Sequence, residues 1–341
     1  MEFASRPALS KRGWRWPESP ENVDSDLYRD VSSSASQVLP LDFDERARSL
    51  LQVEIERFLQ EIKPSGPVLI KPSTAGDRSA DHEVSTAILE LALEAVCVHV
   101  PAAQIVVGDG PVSARFADIS ERLGWTSIAR RFGVRLVDLN HDDVEKLENR
   151  WPVASSFLHA DCVVNLCKAK THRRFGVSLG LKGLLGSLAG GILGIPKLRG
   201  LHRAVPRLLY HLEHVAPPTL TLIDGVRGIE GDGPFSGTRS PSRFLCAGRG
   251  YYGPDVLATV EMGFDPVLIP YFLRPQSQTN AAGPAPPWLT LRRTRVDFFP
   301  PRSCRWLYRS VFGPSTRNGL FDKLLEEVKI GWADADLFPE A

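Results

Sequence analysis

The side chains best suited to chemistry are concentrated in residues 168–186, which read K-A-K-T-H-R-R-F-G-V-S-L-G-L-K-G-L-L-G. The basic members of this stretch are Lys168, Lys170, His172, Arg173, Arg174 and Lys182. Lysines just before a glycine-rich helical segment are typical of a site for phosphate or carboxylate, because a helix N-terminus also favours anions. The pattern G-x-x-x-x-G-K-[ST] is absent, so the stretch is not a nucleotide-binding P-loop.

A second dense stretch, residues 224–237, combines acidic side chains and glycines in the order D-G-V-R-G-I-E-G-D-G-P-F-S-G. Glycines allow tight turns and close backbone approach, which suits a loop beside a ligand. Asp224, Glu230 and Asp232 could bind a hard divalent cation such as magnesium, or could pair with the lysines. We therefore predict no cofactor and leave a divalent cation as an open alternative.

These residue types favour acid–base catalysis on a small anionic substrate. Clustered lysines lower one another's pKa, so one of them can act as a base near neutral pH or as a Schiff-base nucleophile. His172, with Asp224 or Glu230, would move a proton. The predicted catalytic residues are His172, Lys168, Lys170, Lys182, Asp224 and Glu230.

Short apolar runs alternate with helical patterns from residue 67 onward, which predicts parallel β-α-β units. Strands are predicted at 68–70, 105–107, 135–139, 162–166, 219–223 and 244–248. Helices are predicted at 44–62, 82–99, 113–132, 142–149, 202–215 and 255–263. The predicted fold class is α/β: a mainly parallel sheet with helices on both faces, plus N- and C-terminal extensions.

Ionisable residues directly follow the predicted strands, as Lys71, Asp109, Lys168 and Asp224 show. In an open parallel sheet these positions share the carboxyl edge, where α/β proteins bind ligands. We expect Lys71, Lys168, Asp224 and Asp255 to lie in one pocket. The competing interpretation is that loops are polar whether or not they bind anything.

Composition sets the outer limits on function. Lys and Arg number 41 against 40 Asp and Glu, so there is no global field that would favour nucleic acid or an anionic membrane. The five cysteines are scattered and form no C-x-x-C pair, which predicts neither an iron–sulfur cluster nor a structural disulfide. The N-terminus lacks an apolar signal core, so the protein is expected to be cytoplasmic, with a homo-oligomer left open.

Three regions are predicted along the chain. Residues 1–45 form an N-terminal arm or extension, and residues 46–273 form the α/β domain. Residues 274–341 form a C-terminal extension, with a short helix near 319–330, that packs on the core or on an oligomer partner.

The chain resembles the bacterial and archaeal family known as domain of unknown function 362. The motifs that carry the resemblance are V-L-I-K-P, I-V-V-G-D-G-P, V-V-N-L-C-K-A-K-T-H, G-L-K-G-L-L-G, L-I-D-G-V-R-G-I-E-G-D-G-P-F-S-G and A-G-x-x-x-x-G-P-D-V-L-A-T-V-E-M-G-F-D-P. They run in order through residues 67–272. Ser73 and Gly183 stand where the family commonly has Asn, and the cysteines of the ferredoxin-like module found in many relatives are absent.

The resemblance adds motif positions to the candidate site. Together with the strand-end positions, it gives the predicted ligand-binding residues: Lys71, Asp109, Asn165, Thr171, Arg173, Gly231, Gly233 and Asp255. The family name assigns no activity, so isomerase, lyase, cyclase and hydrolase chemistry all stay open. One alternative is a non-catalytic ligand-binding or assembly factor that uses the same basic pocket. Another is a partner-dependent redox protein, which would need a bound cluster or flavin.

Overall fold

The computed structural model describes residues 37–38, 45–76, 82–148, 151–190, 201–240, 243–272 and 289–294. The strands are β1 (Gln37–Val38), β2 (Val68–Pro72), β3 (Ile105–Asp109), β4 (Arg135–Asp138), β5 (Val144–Leu147), β6 (Trp151–Ala154), β7 (Cys162–His172), β8 (Gly176–Ser178), β9 (Thr219–Glu230), β10 (Thr238–Arg239), β11 (Arg243–Arg249) and β12 (Leu289–Thr294). The helices are α1 (Glu45–Ile62), α2 (Thr86–His99), α3 (Phe116–Arg122), α4 (Trp125–Phe132), α5 (Ser155–Leu158), α6 (Gly180–Gly183), α7 (Leu201–Val215) and α8 (Tyr252–Glu261).

The main sheet has the strand order β1-β12-β11-β9-β7-β2-β3-β4, with β10 on β9 and β8 on β7. Five neighbouring strands, β9, β7, β2, β3 and β4, are parallel. Strands β11 and β12 continue the sheet in antiparallel pairing. The sheet is therefore mixed and mostly parallel, which confirms the predicted α/β class.

Side-chain alternation along the strands builds a core on each face of the sheet. Val163 packs with the cluster formed by α5, α7 and α8, whereas Val164 packs with the cluster formed by α1 to α4. Strands buried on both faces have continuous apolar runs, and that is the pattern on which the strands were predicted. Helices on both faces are confirmed.

The predicted helix at 142–149 is wrong, because this segment begins a β-hairpin. Strands β5 and β6 pair antiparallel, from Val144 opposite Ala154 to Leu147 opposite Trp151. Trp151 and Val153 are buried on alternate positions of β6, as a half-buried strand requires. Tertiary burial of these side chains outweighs the weak helical pattern of the charged residues before them.

The predicted helix at 113–132 is two helices, α3 and α4. The break falls at Gly124, whose φ of 74° is a left-handed conformation that glycine adopts without strain. The strands predicted at 162–166 and 219–223 are much longer, reaching His172 and Glu230. Their extra length places the basic and acidic residues inside strands rather than in loops.

Short pieces of the predicted extensions belong to the sheet. Strand β12 pairs with β11, and β1 pairs with β12. The predicted helix near 319–330 lies outside the described residues. No described helix is long and apolar enough to span a membrane.

Candidate functional site

The carboxyl ends of β2, β3, β7 and β9 bring the predicted residues together at one edge. Lys71 lies beside Asn165 in register, and Lys168 lies opposite Asp224. The β7–β9 register shifts between Lys168, which pairs with Asp224, and Lys170, which pairs with Ile229, so the two strands do not advance in step there. Parallel topology therefore delivers side chains from four separate segments to one place.

Lys71 and Asp109 form a tight ion pair inside the protein. The Lys71 Nζ lies 2.7 Å from Asp109 Oδ1, and both side chains are almost fully buried. Lys71 also donates to the carbonyl of Gly183 at 2.8 Å. The other oxygen, Asp109 Oδ2, accepts hydrogen bonds from the amide and the hydroxyl of Thr74. Each charge in this pair is thus hydrogen-bonded, as a buried charge requires.

Lys168 and Asp224 form a second buried pair that is looser. The Lys168 Nζ lies 3.5 Å from Asp224 Oδ2, beyond the 2.7–2.9 Å usual for a charge-assisted hydrogen bond. Asp224 Oδ1 accepts from the amide of Val226, whereas no described residue donates a hydrogen bond to Asp224 Oδ2. A buried carboxylate oxygen without a donor is an acceptor available to a ligand or to water.

Lys170 faces a buried glutamate that the sequence did not single out. Its Nζ donates to the carbonyl of His82 at 2.7 Å, and burial lowers the pKa of Lys170 while the charge of Glu83 raises it. Glu83 accepts from the amides of Ala75 and Gly76, and burial raises its pKa. Burial therefore shifts both groups toward their neutral forms, the direction that favours proton exchange near neutral pH.

Asp255 caps the short helix α6. Its two carboxylate oxygens accept from the amides of Gly180 and Leu181, both at 2.8 Å, although α8 carries Asp255 some 75 residues later in the chain. These amides were expected to help bind an external anion, but the carboxylate of Asp255 occupies them. Asp255 thus positions α6.

Lys182 lies on α6 and differs from the other three lysines. Its side chain is partly buried, and it forms no hydrogen bond or ion pair with any residue in the described part of the chain. Burial, with a further contribution from the charge of Lys170, lowers the pKa of Lys182 to about 8. An amine with such a pKa is partly neutral at physiological pH and can act as a base or nucleophile.

Glycines let the segment from Gly180 to Gly186 lie directly on the strand ends. A Cβ on Gly183 would lie 2.4 Å from Ser73 Oγ, and one on Gly186 would lie 2.1 Å from Asp109 Oδ1. Beneath this segment, Asn165 donates to the hydroxyl of Thr221. Within the part of the chain that the structure describes, neither Asn165 Oδ1 nor Ser73 Oγ has a hydrogen-bond partner. Ser73 and Gly183, the two departures from the family pattern, thus lie against each other.

His172 lies at the end of β7 and supports a turn. Its Nδ1 accepts from the amides of Arg174 and Phe175, so the ring proton of this tautomer is on Nε2. Thr171 Oγ1 donates to the carbonyl of Gly231, and the Arg173 amide donates to the carbonyl of Gly233. These bonds join the basic strand to the glycine loop, while the Arg173 side chain is exposed.

The four residues expected to share a pocket all lie at the carboxyl edge. Lys71, Lys168, Asp224 and Asp255 are each at most 2% exposed, so all four side chains are buried there. Glu230, at the end of β9, is also buried and lies opposite Thr238. Within the described ranges, no three His, Cys, Asp or Glu side chains are grouped as metal ligands. The described cysteines, Cys97, Cys162, Cys167 and Cys246, form no disulfide with one another.

Sequence reasoning missed Glu83 and the close packing of Gly183 and Gly186. Glu83 precedes α2 and follows no predicted strand, so the strand-end rule does not reach it. The G-x-x-G-x-x-G spacing from Gly180 to Gly186 was the available signal for the close backbone approach, because three-residue steps repeat along one face of a helical turn.

Comparison with known proteins places this site inside a matched region. The family model described as "Domain of unknown function (DUF362)" matches residues 68–259. The thylakoid-associated protein sll1697 of Synechocystis sp. is 24% identical over 215 residues, which cover 61% of this chain and 67% of that protein. No solved structure matches the chain.

Proposed function

The chain belongs to the DUF362 family, and from that premise we propose that it is an enzyme acting on a small anionic metabolite. The substrate carries a carboxylate or a phosphate, and the chemistry is acid–base transfer by lysine, histidine and carboxylate side chains without a cofactor. Isomerisation, lyase chemistry, cyclisation and hydrolysis all fit this description. We further propose that it works in the cytoplasm.

One observation carries the proposal: Lys182 has no acidic partner among the described residues, although three other lysines converge on the same edge. Lys71 is paired with Asp109 and Lys168 with Asp224, so their charges are balanced inside the protein. A partly buried ammonium without a counter-ion is costly, and an anionic ligand would supply the missing charge.

The same edge offers groups for moving protons. Glu83 and Lys170 interact electrostatically. Burial raises the pKa of Glu83 and lowers the pKa of Lys170. His172 is held by its Nδ1, which accepts two amide hydrogen bonds, and its ring proton is on Nε2. Groups with perturbed pKa values that gather at a ligand-binding edge are typical of catalytic sites.

The test is to incubate the full-length protein with a metabolite extract and to follow anionic metabolites by mass spectrometry. We expect one metabolite to be consumed while a product accumulates. The variant Lys182→Met should abolish this conversion. A protein that binds an anion but converts none of the metabolites would instead be the ligand-binding or assembly factor. The proposal would be overturned if none of the anionic metabolites bound to the protein.

His172 has a matched pair of variants for the same assay. In His172→Asn, the amide oxygen can still accept from the two turn amides, whereas the ionisable ring is removed. We expect this variant to keep the wild-type melting temperature and to lose turnover by about 10²–10⁴ if His172 is the general acid or base. His172→Ala removes the turn acceptor as well, so it should also lower the melting temperature. An active His172→Asn protein would remove His172 from the mechanism.

A further inference from the structure

Within the proposed function, on which this inference rests, we propose that Lys182 is a nucleophile that forms an imine with the aldehyde or ketone carbonyl of an anionic substrate. The other lysines of the edge are engaged elsewhere. Lys71 and Lys168 are in ion pairs, and Lys170 donates to the carbonyl of His82. Lys182 is the lysine of this group whose nitrogen has no bonded partner in the described chain.

The backbone around Lys182 is fixed from both sides, as a nucleophile requires. Before it, the amides of Gly180 and Leu181 are held by Asp255. After it, Gly183 donates its amide to the carbonyl of Leu179 and accepts from Lys71. The short helix therefore presents the lysine from a rigid support at the edge of the sheet.

Charge near Lys182 favours its neutral amine and an anionic substrate. The ammonium of Lys170 is close enough to lower the pKa of Lys182 further below the value set by burial. At pH 7 an amine with a pKa of about 8 is neutral in roughly a tenth of the molecules, far more than an ordinary lysine. The same positive charge would attract the carboxylate or phosphate of the substrate.

The reaction balances without a redox partner. The neutral amine of Lys182 attacks the carbonyl carbon, a C–N bond forms as the π bond of the carbonyl breaks, and a proton passes from the nitrogen to the carbonyl oxygen through water. Loss of that oxygen as water then yields the imine, so that amine plus carbonyl gives imine plus one water. The protonated imine withdraws electrons from a neighbouring C–H or C–C bond, which is the step that isomerases and lyases need.

In the experiment, the protein forms the imine with glyoxylate, an aldehyde that carries a carboxylate. Cyanoborohydride then reduces the imine to a stable amine. Peptide mass mapping of the full-length protein reports the modified lysines. We expect Lys182 to be modified at least about tenfold faster than the exposed Lys146 at pH 7, because more of its amine is neutral. The rate should rise with pH and level off above about 8. Propanal, which lacks the carboxylate, should react more slowly at Lys182 than glyoxylate does.

Two variants control the trapping experiment. Lys182→Arg keeps the positive charge but removes the nucleophile, so the fast adduct should disappear, whereas Lys146→Arg should leave it unchanged. Equal modification of Lys182 and Lys146 in the wild type would overturn the inference. If that result came with continued metabolite turnover, Lys182 would be an anion-binding group or a base, and the proposed enzyme function would survive. A wild-type protein that shows neither metabolite turnover nor anion binding would overturn both the imine inference and the proposed enzyme function.

Discussion

Two buried lysine–aspartate pairs lie at the same edge of the sheet and differ in how completely they are bonded. Lys71 and Asp109 are 2.7 Å apart, and both oxygens of Asp109 accept hydrogen bonds. Lys168 and Asp224 are 3.5 Å apart, and Asp224 Oδ2 accepts no hydrogen bond from the described ranges. We therefore expect the fully bonded pair to contribute more to the stability of the fold than the incompletely bonded one.

The largest expected effect is on the tight pair. Lys71→Met should lower the free energy of unfolding by about 3–5 kcal/mol, because it leaves the carboxylate of Asp109 buried without its counter-ion. Urea denaturation of the variant and the wild type measures this. The double variant Lys71→Met/Asp109→Leu should recover part of the loss, since no charge is then left unpaired. A Lys71→Met protein as stable as the wild type would show that the pair does not hold the fold.

The next expected effect compares the two aspartates directly. In Asp109→Asn, the amide nitrogen must face either Lys71 or Thr74, both of which donate, so a loss of about 1–3 kcal/mol is expected. In Asp224→Asn, the amide oxygen can keep the bond from Val226 while the nitrogen takes the unbonded position. We expect a smaller loss there than in Asp109→Asn, because the counter-ion that Lys168 loses lies 3.5 Å away rather than at the 2.7 Å of the tight pair. Equal losses in urea denaturation would contradict the distinction between the pairs.

The shared edge of these pairs could be predicted from sequence, but their bonding could not. Strand ends in parallel units meet at one edge, so Lys71, Asp109, Lys168 and Asp224 follow from the alternation of strands and helices. The distance between a lysine and an aspartate depends on register and on the irregularity in the β7–β9 pairing, which local patterns do not encode.

Contacts between distant segments explain the remaining differences from the sequence predictions. Asp255 was predicted to bind ligand, but its role as the cap of α6 depends on a contact between α8 and α6. Glu83 interacts electrostatically with Lys170, which lies 87 positions later in the chain, and no sequence pattern in either segment predicts this interaction. The hairpin at Val144–Leu147 likewise depends on burial of its partner strand rather than on its own charged sequence.

The smallest expected effect on stability, and one of opposite sign, belongs to Lys182. Its pKa of about 8 in the folded protein lies below that of an ordinary lysine, so between pH 8 and about 10.5 the unfolded chain binds more protons than the folded one. Wild-type stability should therefore rise with pH across this window, relative to Lys182→Met. At pH 7 the variant should be equal to the wild type or more stable, by on the order of 1 kcal/mol, because an ammonium without a partner is removed. Urea denaturation of both proteins at pH 7, 8, 9 and 10 follows the difference. A Lys182→Met variant that is strongly destabilised at pH 7, as Lys71→Met is expected to be, would place Lys182 with the structural charges and leave the edge without an unpaired amine for substrate.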